Sequence, residues 1–208
     1  MSMALDKNYI DKTDFKVLQP AIDYYENHGS ATDKLRTFYY QGRIFYNRDE
    51  AEEAMESLIK SIDLGDKSND LRTKARNYTA QGTLYYLYYN WEKIIECSLQ
   101  ASDYYKALGD LDNYATMLCR VAEGYMLMGN KELANEYLIK CRGLLDIIND
   151  RSKAYYYSVY LSHDNDNRTP EVISQVIAEY LKLVPASETD WLTIVDAYLN
   201  IHDITSAK

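Results

Sequence analysis

The sequence predicts an all-α protein, in which antiparallel helical hairpins stack one after another into an α-solenoid. Apolar residues recur at the spacing of one helix face, as at Ala54, Leu58 and Ile62. The 208 residues include 8 glycines and 3 prolines, which is few for an all-β protein with many tight turns. Related segments also follow one another at intervals of 40 residues. Together these features favour a stack of repeated helical hairpins.

Small and aromatic residues mark the repeat. The residues that recur 40 positions apart are Gly42, Gly82 and Ala122 at the small position, and Phe45, Tyr85 and Tyr125 at the aromatic position. Each repeat is predicted to contain two helices, separated by polar residues such as Asn90 and Asn130 that can cap a helix. A small residue is expected where the two helices cross closely, because a larger side chain would push the backbones apart. Gly82 is therefore predicted to lie at a close crossing within its own hairpin.

The third repeat carries the most specific pattern. Its marked positions are Val121, Ala122, Tyr125, Gly129, Asn130, Ala134, Leu138 and Cys141. This order of aliphatic, small, aromatic, turn, alanine, bulky apolar and small residues resembles the tetratricopeptide repeat (TPR) family, in a variant longer than the common repeat of about 34 residues. The resemblance implies a TPR-like α-solenoid wound into a right-handed superhelix. The array is similar to the repeat domain of bacterial exported or membrane-anchored TPR proteins.

We interpret residues 1–208 as a single TPR-like repeat array. Its approximate units are 1–30 (partial), 31–69, 70–110, 111–150, 151–186 (degenerate) and 187–208 (partial). Both partial units interrupt a hairpin, so the chain is expected to be a fragment of a longer protein. Its compartment is left open, because a periplasmic or membrane-anchored location would depend on segments outside this sequence.

The ends of the array are predicted from weaker patterns. The predicted helices are the tail of a first helix at 5–10, its partner at 15–27, a hairpin of 155–163 with 172–184, and a first helix from 191 to 201. After the last of these, His202-Asp203 is expected to form a turn. Ala207 would then belong to the following helix.

Composition and motifs argue against catalysis, metal binding and nucleic-acid binding. A formal net charge of −9 does not fit the concentrated basic surface that phosphate contacts need. Cys97, Cys119 and Cys141 form no close CxxC pair and are expected to be small buried residues. The histidines are scattered in predicted solvated or capping positions, and the acidic loop 164–167 lacks the glycine and glutamate of a calcium loop. We predict no enzyme activity, no cofactor, no metal, and no contact of this segment with nucleic acid or a membrane.

The resemblance implies a peptide-binding groove. In TPR stacks the first helices line a concave face, and the second, fifth, ninth and twelfth repeat positions point into it. The predicted groove residues are Arg36, Tyr39, Arg43 and Tyr46, then Arg76, Thr79, Thr83 and Tyr86, and finally Glu123 and Met126, with Thr116 and Cys119 at the remaining positions. Tyrosine and arginine dominate binding hot spots. The predicted partner is a protein or peptide, and the local arginines favour an acidic one.

Two alternatives stay open. In the first, which concerns single groove residues, a tyrosine packs between neighbouring helices or an arginine is only solvated, so that the residue does not contact a ligand. At the level of function, the prediction is the sensing or adaptor domain of a larger bacterial regulatory protein. The alternative is a non-catalytic spacer that positions other domains.

Overall fold

A computed structural model describes residues 19–163 and 169–206, with side chains through residue 199. Within this part of the chain every regular element is an α-helix, which confirms the predicted all-α class. The helices are α1 (Gln19–His28), α2 (Ala31–Asn47), α3 (Ala51–Leu64), α4 (Leu71–Leu87), α5 (Trp91–Ala107), α6 (Leu111–Leu127), α7 (Lys131–Arg142), α8 (Asp150–Ser162), α9 (Pro170–Leu183) and α10 (Trp191–Ser206). The predictions for 5–10, for the loop 164–167 and for Ala207 lie outside the described residues.

The chain divides into two compact units, Met1–Leu108 and Gly109–Lys208. In the first unit α2 forms a hairpin with α3, α4 forms one with α5, and both α2 and α3 pack against α4. In the second unit α6 forms a hairpin with α7, α8 forms one with α9, and both α6 and α7 pack against α8. Within each unit, therefore, both helices of one hairpin contact the first helix of the next.

The 40-residue period is visible in the helix boundaries. The helices α2, α4 and α6 each have 17 residues and begin at Ala31, Leu71 and Leu111. Their hairpin partners α3, α5 and α7 begin at positions 51, 91 and 131. The predicted register of these three hairpins is confirmed.

Polar side chains set where the helices begin. Asp70 and Asp110 cap α4 and α6, and Asn90 and Asn130 cap α5 and α7. Each of these side chains accepts a hydrogen bond from the backbone amide three residues later, which satisfies a donor that the first helical turn leaves unpaired. The polar residues between the predicted helices are therefore caps, as expected.

The turn inside each hairpin has the same backbone conformation in all three repeats. Asp49, Tyr89 and Gly129 have φ angles of 60°, 51° and 76°, in the left-handed region. The next amide then donates to the carbonyl five residues back: Glu50 to Phe45 (3.0 Å), Asn90 to Tyr85 (3.2 Å) and Asn130 to Tyr125 (2.8 Å). This is the Schellman arrangement that closes a helix C-terminus. It persists although only one of the three turns has the glycine that this conformation favours.

Tyr89→Gly should raise the free energy of unfolding by about 1 kcal/mol, because a non-glycine residue in the left-handed region costs roughly 1–2 kcal/mol. The Tyr89 side chain is largely exposed and makes an edge contact with Trp91, so its removal forfeits little packing. Asp49→Gly is the matched control and should raise the free energy of unfolding by less, since aspartate tolerates the left-handed conformation better than tyrosine does. Urea denaturation measures both variants, and a Tyr89→Gly protein no more stable than the parent would show that the turn is unstrained.

The small repeat position lies at a helix crossing. A Cβ added at Gly42 would lie 2.8 Å from Leu58 Cγ and 3.0 Å from the Ala54 carbonyl oxygen, both on α3. At Gly82 the nearest atom would be Cys97 Cβ on α5, at 3.4 Å. Each glycine thus faces the second helix of its own hairpin, as predicted. The closest approach, however, is at Gly42 and not at Gly82.

Two helix boundaries differ from the prediction. The helix α10 continues through His202-Asp203 to Ser206, so the predicted turn there is wrong. No glycine or proline lies between Asn200 and Ser206, and nothing in the sequence stops the helix. The helix α8 begins at Asp150, before the predicted start at 155, because Asn149 accepts a hydrogen bond from the Ser152 amide at 2.9 Å and caps it there.

Candidate functional site

The first helices of the first unit are rich in positive charge. The helices α2 and α4 together carry six basic residues against one acidic residue, Asp33. The basic residues are Lys34, Arg36, Arg43, Arg72, Lys74 and Arg76. Their neighbour α3 carries four carboxylates against one lysine. In a chain with a net charge of −9, α2 and α4 therefore carry a local excess of positive charge, although Lys74 is buried and donates to the Asp66 carbonyl.

The two helices α2 and α4 pack against each other, so their outward side chains form one surface. The Arg76 guanidinium on α4 lies 5.5 Å from the ring centroid of Tyr39 on α2. On α2 itself, the Arg43 guanidinium lies 5.3 Å from the ring centroid of Tyr46. Cation–π contacts of this kind hold an arginine over an aromatic face. We call this surface the α2–α4 face: Arg36, Arg43, Tyr46, Arg72, Arg76, Thr79, Thr83 and Tyr86.

Arg36 is held at one end of the α2–α4 face by an ion pair. Its Nε donates to Asp70, the N-cap of α4, and its side chain is 57% exposed. Burial raises the pKa of the Asp70 carboxyl, but hydrogen bonds from Thr73 and Arg36 outweigh it and hold the pKa below its usual value. Asp70 therefore stays ionised and joins α2 to the start of α4.

Along α4 the face becomes less charged. The Thr79 hydroxyl donates to the Ala75 carbonyl at 2.9 Å, and the Thr83 hydroxyl donates to the Thr79 carbonyl at 3.0 Å. Both hydroxyls thus bond within their own helix, and the Thr79 hydroxyl also lies 3.4 Å from the hydroxyl of Tyr105, a buried residue of α5. Tyr86 is half-buried and meets Trp91 edge to face, with ring centroids 6.0 Å apart. The far end of the face is therefore aromatic.

Tyr39 does not lie on this surface as a contact residue. Its side chain is only 3% exposed and packs with Ala54, Leu58 and Leu84 in the core between the two hairpins. A ligand could reach only the Arg76 guanidinium stacked on it. For Tyr39 the structure supports the alternative in which the tyrosine packs between helices.

The predicted groove positions of the second unit are engaged in packing. The Glu123 carboxylate accepts a hydrogen bond from the Tyr155 hydroxyl at 2.9 Å. Met126 is partly buried against the core around Ala122. Thr116 donates to the Asp112 carbonyl, and Cys119 is fully buried. The Thr116 hydroxyl also lies 3.5 Å from the Ser152 hydroxyl of α8, so these four residues pack α6 against its neighbours. The second unit offers no counterpart of the arginine-rich face among its described residues.

Sequence reasoning missed Arg72. This exposed residue lies one helical turn before Arg76, on the same side of α4. The groove positions that the TPR resemblance implies for α4 begin at Arg76, so Arg72 was not among the predicted residues. The helical spacing could have found it, because residues four apart on a helix are neighbours.

Other candidate groups behave as packing or capping residues. All three cysteines are unbridged and buried, as predicted. His163 is the C-cap of α8, as the capping alternative predicted, and its side chain is buried rather than solvated. The described residues contain no group of three or more histidine, cysteine, aspartate or glutamate side chains placed to hold a metal ion. In the same part of the chain, no helix has both the length and the apolar character needed to cross a bilayer.

No protein-family model matches this chain, and no curated protein sequence matches it either.

Proposed function

We propose that the chain is a TPR-like repeat scaffold whose α2–α4 face binds an acidic peptide segment, extended or helical. In this proposal the hairpins form an α-solenoid with the right-handed twist of that family. The chain would serve as the sensing or adaptor domain of a larger bacterial regulatory protein.

The observation that carries the proposal is the pairing of arginines with aromatic rings on α2 and α4. Arginine guanidinium groups bind carboxylates through paired, charge-assisted hydrogen bonds. Tyr46 and Tyr86 add apolar area at a low cost in side-chain entropy. An acidic partner would also be drawn to this face during encounter, since the remainder of the protein is acidic and repels it.

A selection experiment tests this proposal even though the natural partner is unidentified. The wild-type chain is immobilised and used to enrich a library of random peptides, each about a dozen residues long. We expect the enriched sequences to be rich in aspartate and glutamate, with apolar residues interspersed. Enrichment of neutral or basic peptides would contradict the proposal, and an absence of enrichment would favour the spacer.

Charge reversal on the face provides the matched comparison. Arg43→Glu/Arg76→Glu should weaken binding of an enriched acidic peptide about tenfold or more, equivalent to roughly 1.4 kcal/mol or more. The free energy of unfolding should fall by no more than about 2 kcal/mol, because the variant removes two cation–π contacts that contribute about 0.5–1 kcal/mol each.

The control variant Arg142→Glu/Arg151→Glu makes the same change of net charge on exposed residues of the second unit. It should bind the peptide within about twofold of the wild type, because it leaves every residue of the α2–α4 face unchanged. Equal weakening in both double variants would show that binding responds to net charge and not to this face.

A further inference from the structure

Two of the three buried cysteines are in direct contact. Cys119 on α6 and Cys141 on α7 lie with their Sγ atoms 3.2 Å apart, and each residue is 0% exposed. Cys97 belongs to the first unit, on α5. We propose that Cys119 and Cys141 form a reversible disulfide that links the two helices of the α6–α7 hairpin.

The geometry requires little movement. The S–S bond of a disulfide is about 2.05 Å long, so the two sulfurs must approach by only about 1 Å. Both side chains already point to the same place between two helices that form a hairpin. Small changes in the two side-chain torsions suffice, and α6 and α7 keep their positions.

Burial makes the reaction depend on local opening. The hydrogen bond with Cys141 and the burial of the thiol raise the pKa of Cys119 well above its usual value, so the thiolate is scarce in the closed hairpin. Cys141, by contrast, lies in the last turn of α7, which ends at Arg142. Because helix ends open more readily than their centres, Cys141 is the thiol that becomes accessible first.

The oxidant is a small disulfide such as oxidised glutathione. The Cys141 thiolate attacks one of its sulfurs, forms a mixed disulfide and releases one glutathione thiolate. On reclosure, Cys119 loses its proton and attacks Cys141 Sγ, which forms the protein disulfide and expels the second glutathione. The two protein thiols give up two electrons and two protons, and the oxidant becomes two thiols.

The repeat supplies a conservative control. Cys141 donates to the Ala115 carbonyl at 3.6 Å, and Ser61, two repeat periods earlier, donates in the same way to the Leu35 carbonyl at 2.6 Å. Cys141→Ser therefore introduces the side chain that stands at the equivalent repeat position, Ser61, in the first hairpin. This variant should fold, and it cannot form the disulfide.

The test is oxidation of the folded chain by oxidised glutathione, followed by denaturation, alkylation of the remaining thiols and intact-mass measurement. We expect the protein to lose the mass of two hydrogens and to be alkylated once, at Cys97. A Cys97→Ser variant should form the same link and remain unalkylated. Three alkylated cysteines, a lasting glutathione adduct, or a disulfide that includes Cys97 would each overturn the proposal.

Thermal unfolding provides a second readout. The oxidised chain should melt about 5 °C or more above the reduced chain, since a crosslink that closes a loop of this length restricts the unfolded state. Dithiothreitol should reverse the shift, and Cys141→Ser should show none. A melting temperature that oxidation leaves unchanged or lowers would contradict the proposed link between correctly packed helices.

Discussion

Asn77→Ala is expected to lower the free energy of unfolding of the first unit by about 2–4 kcal/mol, the largest effect predicted for a single substitution in this chain. Asn77 on α4 is 0% exposed, and its amide nitrogen donates to the Leu58 carbonyl on α3 at 3.2 Å. Its amide oxygen accepts a hydrogen bond from the Gln81 side chain at 2.8 Å. The alanine would leave a cavity, and it would leave the buried Gln81 amide with only a 3.5 Å contact to the Leu58 carbonyl.

The same bonds predict strong coupling between Asn77 and Gln81. Once Asn77→Ala has broken the network, a further Gln81→Ala removes an amide that is already poorly bonded. The double variant should therefore be less destabilised than the sum of the single variants, by about 0.5–3 kcal/mol. Effects that add to within about 0.5 kcal/mol would show that the Asn77 and Gln81 side chains are not coupled.

Tryptophan fluorescence can isolate the first unit in these measurements. The chain has two tryptophans, Trp91 in the first unit and Trp191 in the second. Trp191 is half-exposed, so Trp191→Phe is expected to be tolerated and leaves Trp91 as the reporter. Urea denaturation of each variant in this background then follows the unit that contains Asn77.

Gly42→Ala is expected to destabilise the first unit by about 1–3 kcal/mol, whereas Gly82→Ala should leave its stability unchanged or raise it by up to about 1 kcal/mol. The new methyl at Gly42 would meet Leu58 Cγ at 2.8 Å and the Ala54 carbonyl oxygen at 3.0 Å, so the backbones of α2 and α3 must separate. At Gly82 the nearest atom is 3.4 Å away, and alanine gains from its higher helix propensity.

The two glycines are each other's control, because they occupy the same repeat position in neighbouring hairpins. The Trp91 reporter measures both in one background. A larger loss of stability from Gly82→Ala than from Gly42→Ala would contradict the finding that the two helices of a hairpin approach each other more closely at Gly42. Gly82→Leu should still destabilise the unit by about 1–3 kcal/mol, since a whole isobutyl group must fit beside Cys97.

The helix boundaries could be predicted from the sequence because local residues determine them. Asp70, Asn90, Asp110 and Asn130 cap their helices through bonds to amides three residues away, and such caps need no tertiary information. The same logic explains the error in α10. His202-Asp203 are only the twelfth and thirteenth residues of α10, whereas α2, α4 and α6 each run for 17 residues before their turn, and no glycine or proline stops α10 there.

The packing between hairpins could not be predicted in the same way. Tyr39 occupies a repeat position that faces both the predicted groove and the next hairpin, and only the approach of α4 shows that it is buried. Asn77 and Gln81 appear in the sequence as ordinary polar residues of an amphipathic helix. Their burial depends on α3 presenting the Leu58 carbonyl to them. In each case the deciding partner is a residue on another helix.

The candidate site was predictable in part for a related reason. Arg36, Arg43 and Arg76 were predicted from the resemblance to TPR repeats, because they stand at positions that line the groove in that family. The cation–π contact of Arg76 with Tyr39 joins two different helices, so it needs the packed structure. The concentration of positive charge on two adjacent first helices becomes clear only when those helices are known to touch.

Amide hydrogen exchange with and without a bound acidic peptide shows directly which helices the peptide covers. The peptide is one enriched on the wild-type chain, and exchange is measured by mass spectrometry at a concentration that saturates binding. We expect protection on binding to be concentrated in α2 and α4, with little change in α3 and α5. The Arg43→Glu/Arg76→Glu variant should show no such protection at the same peptide concentration. Protection concentrated in α3 and α5, or in the second unit, would place the binding surface elsewhere and contradict the account.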